Sequence, residues 1–135
     1  MDKIEHIGIA VKNLEVSKQL FAKIFGTQPY KEEEVASEGV RTSFFKSGPN
    51  KVELLEATNP ESPIAKFLEK KGEGVHHIAF AVEDIVAEIA RLKGEGFVIL
   101  NETPKKGADN KLVAFLHPKG TNGVLVELCQ EIKQG

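Results

Sequence analysis

One stretch of this chain is written twice. His6-Ile7-Gly8-Ile9-Ala10-Val11-Lys12-Asn13-Leu14 returns 71 residues later as His77-Ile78-Ala79-Phe80-Ala81-Val82-Glu83-Asp84-Ile85, with His, Ile, Ala and Val kept at four of the nine positions. A second echo links Val52-Glu53-Leu54 to Val126-Glu127-Leu128 at an offset of 74. The three extra residues fit the turn Pro118-Lys119-Gly120-Thr121-Asn122-Gly123, which is longer than Gly48-Pro49-Asn50. A repeat at fixed offset outranks any local signal, because whatever one copy folds into the other must fold into as well.

Each copy carries the same order of elements. Ile4 to Val11 alternates and is rich in β-branched residues, which predicts a strand. Asn13 can cap a helix with Val16, Leu20, Phe21 and Ile24 on its buried face, and Gly26 stops it. Arg41 to Lys46 and Lys51 to Glu56 read as strands around the turn at Gly48-Pro49-Asn50, with a further strand within Gln28 to Val35. Lys31 and Glu32 to Glu34 read as an exposed charged run. In the second copy Val75 to Val82 is a strand, and Asp84 caps a helix carrying Ile85, Ile89 and Leu92 that ends at Gly94 and Gly96. Phe97 to Leu100, Leu112 to Leu116 and Val124 to Cys129 follow as strands. Between the copies, Ser62-Pro63-Ile64 to Lys71-Gly72 has a cap, a first-turn proline and a terminal glycine, the pattern of a linker helix. The expectation is an α+β chain of two tandem βαβββ modules, about 1–58 and 74–131, joined by a helix at about 60–72 within a single domain 1–135.

Composition narrows the function classes. At 135 residues the chain is one ordinary domain that buries roughly two-thirds of its unfolded surface, so neither a disulfide nor a structural metal is needed to hold it. Hydrophobic residues at 41% and charged residues at 28% exclude disorder, collagen and coiled coil. The 18 Lys+Arg against 20 Asp+Glu leave a net charge of −2, without the basic excess that a phosphate-backbone partner demands. No apolar run is long enough to span a membrane, and Met1-Asp2-Lys3-Ile4-Glu5-His6 lacks the apolar core of a signal peptide. The single Cys129 fits a reducing compartment. The chain is expected to be cytoplasmic, with no nucleic-acid and no membrane partner.

Strand parity then decides which side chains share a face. On the first strand Ile7, Ile9 and Val11 suit packing against the helix, while His6, Gly8 and Ala10 point the other way onto a face kept open by small residues. The second copy repeats this with Ile78, Phe80 and Val82 against His77, Ala79 and Ala81. Glu53 and Glu127, each flanked by two helix-facing apolar residues, project onto the open face of their own module. A carboxylate inside an apolar strand is costly without a charged partner. Two His and two Glu at equivalent places in both copies form an N2O2 set for a divalent metal with open positions, provided the modules face each other about a pseudo-twofold axis. His76 has the opposite parity to His77 and reads as a structural or supporting residue.

These residues resemble the vicinal oxygen chelate superfamily of glyoxalases, extradiol dioxygenases and methylmalonyl-CoA epimerases, over essentially the whole chain. Three stretches are similar to the epimerase branch: Gly74-Val75-His76-His77-Ile78-Ala79-Phe80, Phe115-Leu116-His117-Pro118-Lys119, and Gly123-Val124-Leu125-Val126-Glu127-Leu128. Glyoxalases usually carry an Asp-Pro-x-Gly turn where this chain has His-Pro-Lys. The resemblance implies an open, mostly antiparallel sheet cavity of glyoxalase type, a homodimer, and metal ligands at His6, Glu53, His77 and Glu127. It departs at Thr42, three residues after Gly39, where some epimerases place a second catalytic carboxylate; a threonine does not abstract a carbon-bound proton at neutral pH.

The implied reaction is metal-dependent 1,1-proton transfer interconverting (2R)- and (2S)-methylmalonyl-CoA through a metal-stabilised enolate. One divalent ion (cobalt, manganese, nickel or zinc) would serve, with Glu127 as one base and Glu53 as the candidate for the other. Lys105, Lys106, Lys111 and Lys119, around the Gly107-Ala108-Asp109-Asn110 loop, would meet the phosphates of CoA, with His117 either a turn residue or turned to the substrate. Two other readings are a lactoylglutathione lyase acting on a glutathione hemithioacetal and a metal-free binding or resistance protein of the same fold.

Overall fold

The repeat is visible as two βαβββ units in the computed structural model, which describes residues 1–133. One unit comprises residues 6–76, and the other the first five residues together with the chain from His77 onward. The first unit contains β1 (Lys3–Ala10, from His6), α1 (Leu14–Phe25), β2 (Lys31–Val35), β3 (Val40–Ser47), β4 (Asn50–Ala57) and the linker helix α2 (Pro63–Lys71). Its strands lie in the order β2-β3-β4-β1, antiparallel except for the parallel pair β4–β1.

Asn13 caps α1 by accepting the Val16 N–H at 3.1 Å, and Gly26 ends it in the left-handed conformation at φ 69°. The buried face of α1 keeps Phe21 but not the three other expected residues. Leu14, Phe21, Ala22 and Phe25 pack with Ile9, Val11, Phe45, Val52 and Leu54, whereas Val16, Leu20 and Ile24 are exposed. At about 100° per residue the helix carries two apolar stripes. The one with both phenylalanines buries more area and takes the core. Phe45 is fully buried there, its ring 5.3 Å from that of Phe25. Phe45→Ala should cost about 3–5 kcal/mol, read as a lower urea midpoint at unchanged m-value.

The opposite face is not wholly open. Ser62 caps α2 through the Ile64 N–H, and Ile64, Phe67 and Leu68 cover Ala10, Val40 and Leu55. The charged run 31–34 lies in edge strand β2, the strand expected within Gln28 to Val35, with Glu32 and Glu34 exposed. Its Glu32 turns toward α1, where the Lys18 Nζ lies 3.0 Å from both carboxylate oxygens and holds this carboxyl below the usual range.

The second unit contains β5 (Gly74–Ala81, from His77), α3 (Ile85–Gly94), β6 (Lys105–Lys106), β7 (Lys111–Leu116) and β8 (Val126–Glu131). β5 pairs with β8 in parallel, and β7 pairs antiparallel with both β8 and β6. Asp84 caps α3 through the Ala87 N–H, and Ile85, Ile89 and Leu92 enter a core with Val82, Ile99, Ala114, Leu116 and Leu128, as the periodicity predicts. Phe97 to Leu100 does not form a strand; only Ile99 makes a bridge, to Leu116. Two backbone bonds flank that bridge, Leu100 N–H to the Phe115 oxygen and His117 N–H to the Val98 oxygen, and beyond them the Asn101 side-chain amide takes the ladder's place, accepting the Phe115 N–H and donating to the Val113 carbonyl, both at 3.0 Å. The α+β class and the element order agree with the repeat. No helix among the described residues is long and apolar enough to cross a membrane.

Candidate functional site

Glu53 lies in β4 beside Gly8 of β1 and Phe44 of β3, its register partners on the two sides. Register partners share a face, so the carboxylate emerges between a residue with no side chain and an aromatic ring. The gap over Gly8 lets it lean toward His6, two residues earlier on β1, and its Oε1 lies 3.4 Å from the His6 Nε2. Both residues are buried, at 4% and 6% exposure.

The other unit builds the same arrangement from its own strands. Glu127 of β8 stands between Ala79 of β5 and Phe115 of β7. Its Oε1 is 3.3 Å from the His77 Nε2, and this pair too is buried. The Phe115 ring meets the His77 ring edge-on at 6.3 Å. The structure therefore places the four expected residues in two His–Glu pairs, one within each unit.

The donor set can be tested against a metal. Two ligands about 2.0–2.2 Å from one ion, at angles between square and tetrahedral, stand roughly 3.0–3.4 Å apart. Both Nε2–Oε1 separations, 3.4 and 3.3 Å, fit that edge. Imidazole nitrogen with carboxylate oxygen suits a first-row divalent ion.

Phe44 and Phe115 were not singled out from the sequence, although they recur at the same offset of 71 as the histidines. Each stands in register beside one of the two glutamates. Thr42 is 1% exposed on the Glu53 face, and its hydroxyl donates to the Glu33 main-chain oxygen at 3.4 Å. His76 is half-buried and meets the Phe67 ring edge-on at 5.0 Å.

The basic residues divide. Lys105 and Lys106 are consecutive on β6 and so face opposite ways. Lys105 shares the Phe115 face, its Nζ 5.9 Å from that ring's centre, while Lys106 pairs in register with Leu112 on the core face. Lys111 is half-buried opposite Glu131, and Lys119 is exposed. His117 acts as a turn residue, its Nδ1 accepting the Lys119 N–H at 3.1 Å.

The profile of the glyoxalase/bleomycin resistance protein/dioxygenase superfamily matches residues 5–115. The chain is 42% identical to an ethylmalonyl-CoA/methylmalonyl-CoA epimerase of Cereibacter sphaeroides, covering 95% of this chain and 97% of that protein. It is 40% identical to the human mitochondrial methylmalonyl-CoA epimerase, over 96% of this chain and 74% of that one. Among solved structures, a variant methylmalonyl-CoA epimerase of Streptomyces coelicolor in complex with 2-nitronate-propionyl-CoA matches with a TM-score of 0.94 at 34% identity, over 100% of this chain and 99% of that chain.

Proposed function

The chain belongs to the glyoxalase/bleomycin resistance protein/dioxygenase superfamily, and from that premise we propose that it is an isomerase that interconverts the 2R and 2S epimers of methylmalonyl-CoA by proton transfer at carbon 2. The observation that carries this reading is the buried His–Glu pair built twice, in a chain aligned over nearly its whole length with methylmalonyl-CoA epimerases.

In this proposal His6, Glu53, His77 and Glu127 hold one divalent ion: cobalt, manganese, nickel or zinc. Such an ion, when bound, supplies Lewis acidity that stabilises negative charge on a carbonyl oxygen. The chain's own residues move the protons. Carbon 2 sits between a thioester and a carboxylate. Glu127 takes its proton, and the C–H electron pair passes into the thioester carbonyl to give the enolate. Glu53 returns a proton to the other face, and the pair comes back to carbon 2. Burial of both glutamates beside phenylalanine keeps bulk water from competing for these protons. Thr42, committed to the main chain, takes no part. Lys105, with Lys106, Lys111, Lys119 and His117 outside it, is offered to the anionic carrier. A cytoplasmic setting and a homodimer belong to the same proposal.

Turnover of two candidate substrates by purified protein supplied with a divalent ion tests it. A single C2 epimer of methylmalonyl-CoA should be converted to a mixture of both epimers, and the methylglyoxal–glutathione hemithioacetal should be untouched. Turnover of the hemithioacetal alone would make the protein a lactoylglutathione lyase. Silence on both, with no metal bound, would make it a binding protein.

A further inference from the structure

The two glutamates do opposite halves of the proposed reaction, yet the rows of residues that hold them are nearly the same. Glu53 stands between Gly8 and Phe44, and Glu127 between Ala79 and Phe115. At the offset of 71, Phe44 corresponds to Phe115 and Gly8 to Ala79. Within these rows the two copies therefore differ only by the methyl group of Ala79.

The backbone does not ask for glycine at that place. Gly8 lies inside β1, paired in register with Glu53 of β4, and its φ is not positive. Ala79 takes the same place in β5, fully buried against Val113, Cys129 and Phe115. A glycine inside a strand weakens it and marks a close approach to the bare backbone. Gly8 is itself buried, so protein atoms rather than a ligand cover it. Beside a methyl group Glu127 meets the His77 Nε2 at 3.3 Å, and without one Glu53 meets the His6 Nε2 at 3.4 Å. The resting contact is the same in both copies, so what Gly8 adds is room for Glu53 to leave it. A glutamate turns about three side-chain torsions, and a β-carbon on the adjacent strand, about 5 Å away, obstructs those rotamers that lie across the ladder.

We propose that Gly8 is a positioning residue: its missing side chain lets the Glu53 carboxylate swing between the His6 contact and a position folded over the β1 backbone, while Ala79 keeps Glu127 in one place. This rests on the reading that both glutamates serve carbon 2. NMR of protein carrying isotope-labelled glutamate carboxyl carbons reads the movement without any substrate, the two signals being assigned by their loss in Glu53→Gln and Glu127→Gln. Relaxation dispersion, which reports microsecond-to-millisecond exchange, should be present at Glu53 and absent at Glu127. Gly8→Ala should quench it at Glu53, and Ala79→Gly should create it at Glu127. In D2O, Gly8→Ala should slow epimerisation about tenfold while shifting KM less than about twofold. The epimer whose C2 proton faces Glu127 should still exchange. Its C–H pair passes into the thioester carbonyl, the Glu127 carboxyl trades that proton for a solvent deuteron, and the pair returns to take the deuteron on the same face.

Equal dispersion at the two glutamates, none at either, or dispersion at Glu53 that persists in Gly8→Ala would overturn the proposal. So would a rise in KM at unchanged kcat, which would make Gly8 part of the substrate seat. Should Gly8→Ala not fold, wild type and Ala79→Gly decide: dispersion at Glu53 in the first and at both glutamates in the second supports the proposal, and an unchanged Glu127 overturns it. If the wild-type protein turns over no substrate, the activity reading fails on its own, and the NMR comparison still decides whether Gly8 frees Glu53.

Discussion

Glu127→Gln should lower kcat for epimerisation on the order of 1,000-fold, the scale of a general base acting on a carbon acid. Glutamine has the volume of glutamate and leaves an oxygen for the contact with the His77 Nε2, so the pocket between Ala79 and Phe115 stays filled. What is lost is the capacity to accept a proton. The substitution is nearly isosteric within the buried strand β8, so the unfolding midpoint should stay close to wild type, which separates a chemical loss from a folding one. Glu53→Gln should cost less, about 10–100-fold, because an amide oxygen still coordinates a divalent ion and only the return of the proton is impaired. Stereochemically resolved turnover, with circular dichroism of the unfolded-to-folded transition, checks both. A Glu127→Gln enzyme within threefold of wild type would remove Glu127 as the base.

Chelation should reduce turnover to below about 1% of the reconstituted protein, and stoichiometric divalent ion should restore it. His77→Ala and His6→Ala should each fail to recover at the ion concentration that saturates wild type. A ligand that binds only the folded chain also stabilises it, by about 2.7 kcal/mol at a hundredfold excess over Kd. The metal should therefore raise the thermal midpoint of wild type, and much less that of either histidine variant. Imidazole and carboxylate bind metal only when deprotonated, so this stabilisation should shrink as pH falls. Calorimetric titration of the metal-stripped protein reads the affinity directly. Full activity after exhaustive chelation, with no metal detected by elemental analysis, would contradict the ligand assignment.

The sequence disclosed some features of this fold and hid others, for reasons that differ from residue to residue. The caps Asn13, Ser62 and Asp84 were legible because capping is a three-residue affair between a side chain and the next turn. The two His–Glu pairs were legible because parity and the repeat act together. Parity alone puts a side chain on a face, and the second copy says that the placement matters. The buried side of α1 was not legible, since Val16-Leu20-Ile24 and Leu14-Phe21-Phe25 both satisfy helical periodicity and only tertiary packing chooses between them. Beyond the bridge at Ile99 the ladder gives way to one amide, Asn101, whose reach to β7 no local propensity encodes. The cover that α2 lays over Ala10 was hidden because the linker helix lies outside the repeat and has no second copy to compare. Phe44 and Phe115 carry the right offset, but an aromatic side chain in a strand is the ordinary mark of a core and does not by itself signal a site.

The chemistry proposed for this chain is to take a proton from carbon 2 of methylmalonyl-CoA and return one. The most direct measurement is proton NMR of the C2 position in D2O, with metal-reconstituted protein and a single epimer of the substrate. Deuterium should enter C2 as the epimers equilibrate, and both the exchange and the loss of stereochemistry should vanish with chelator and with Glu127→Gln. A C2 proton that persists over the time in which the hemithioacetal is consumed, or exchange that survives both treatments, would contradict it.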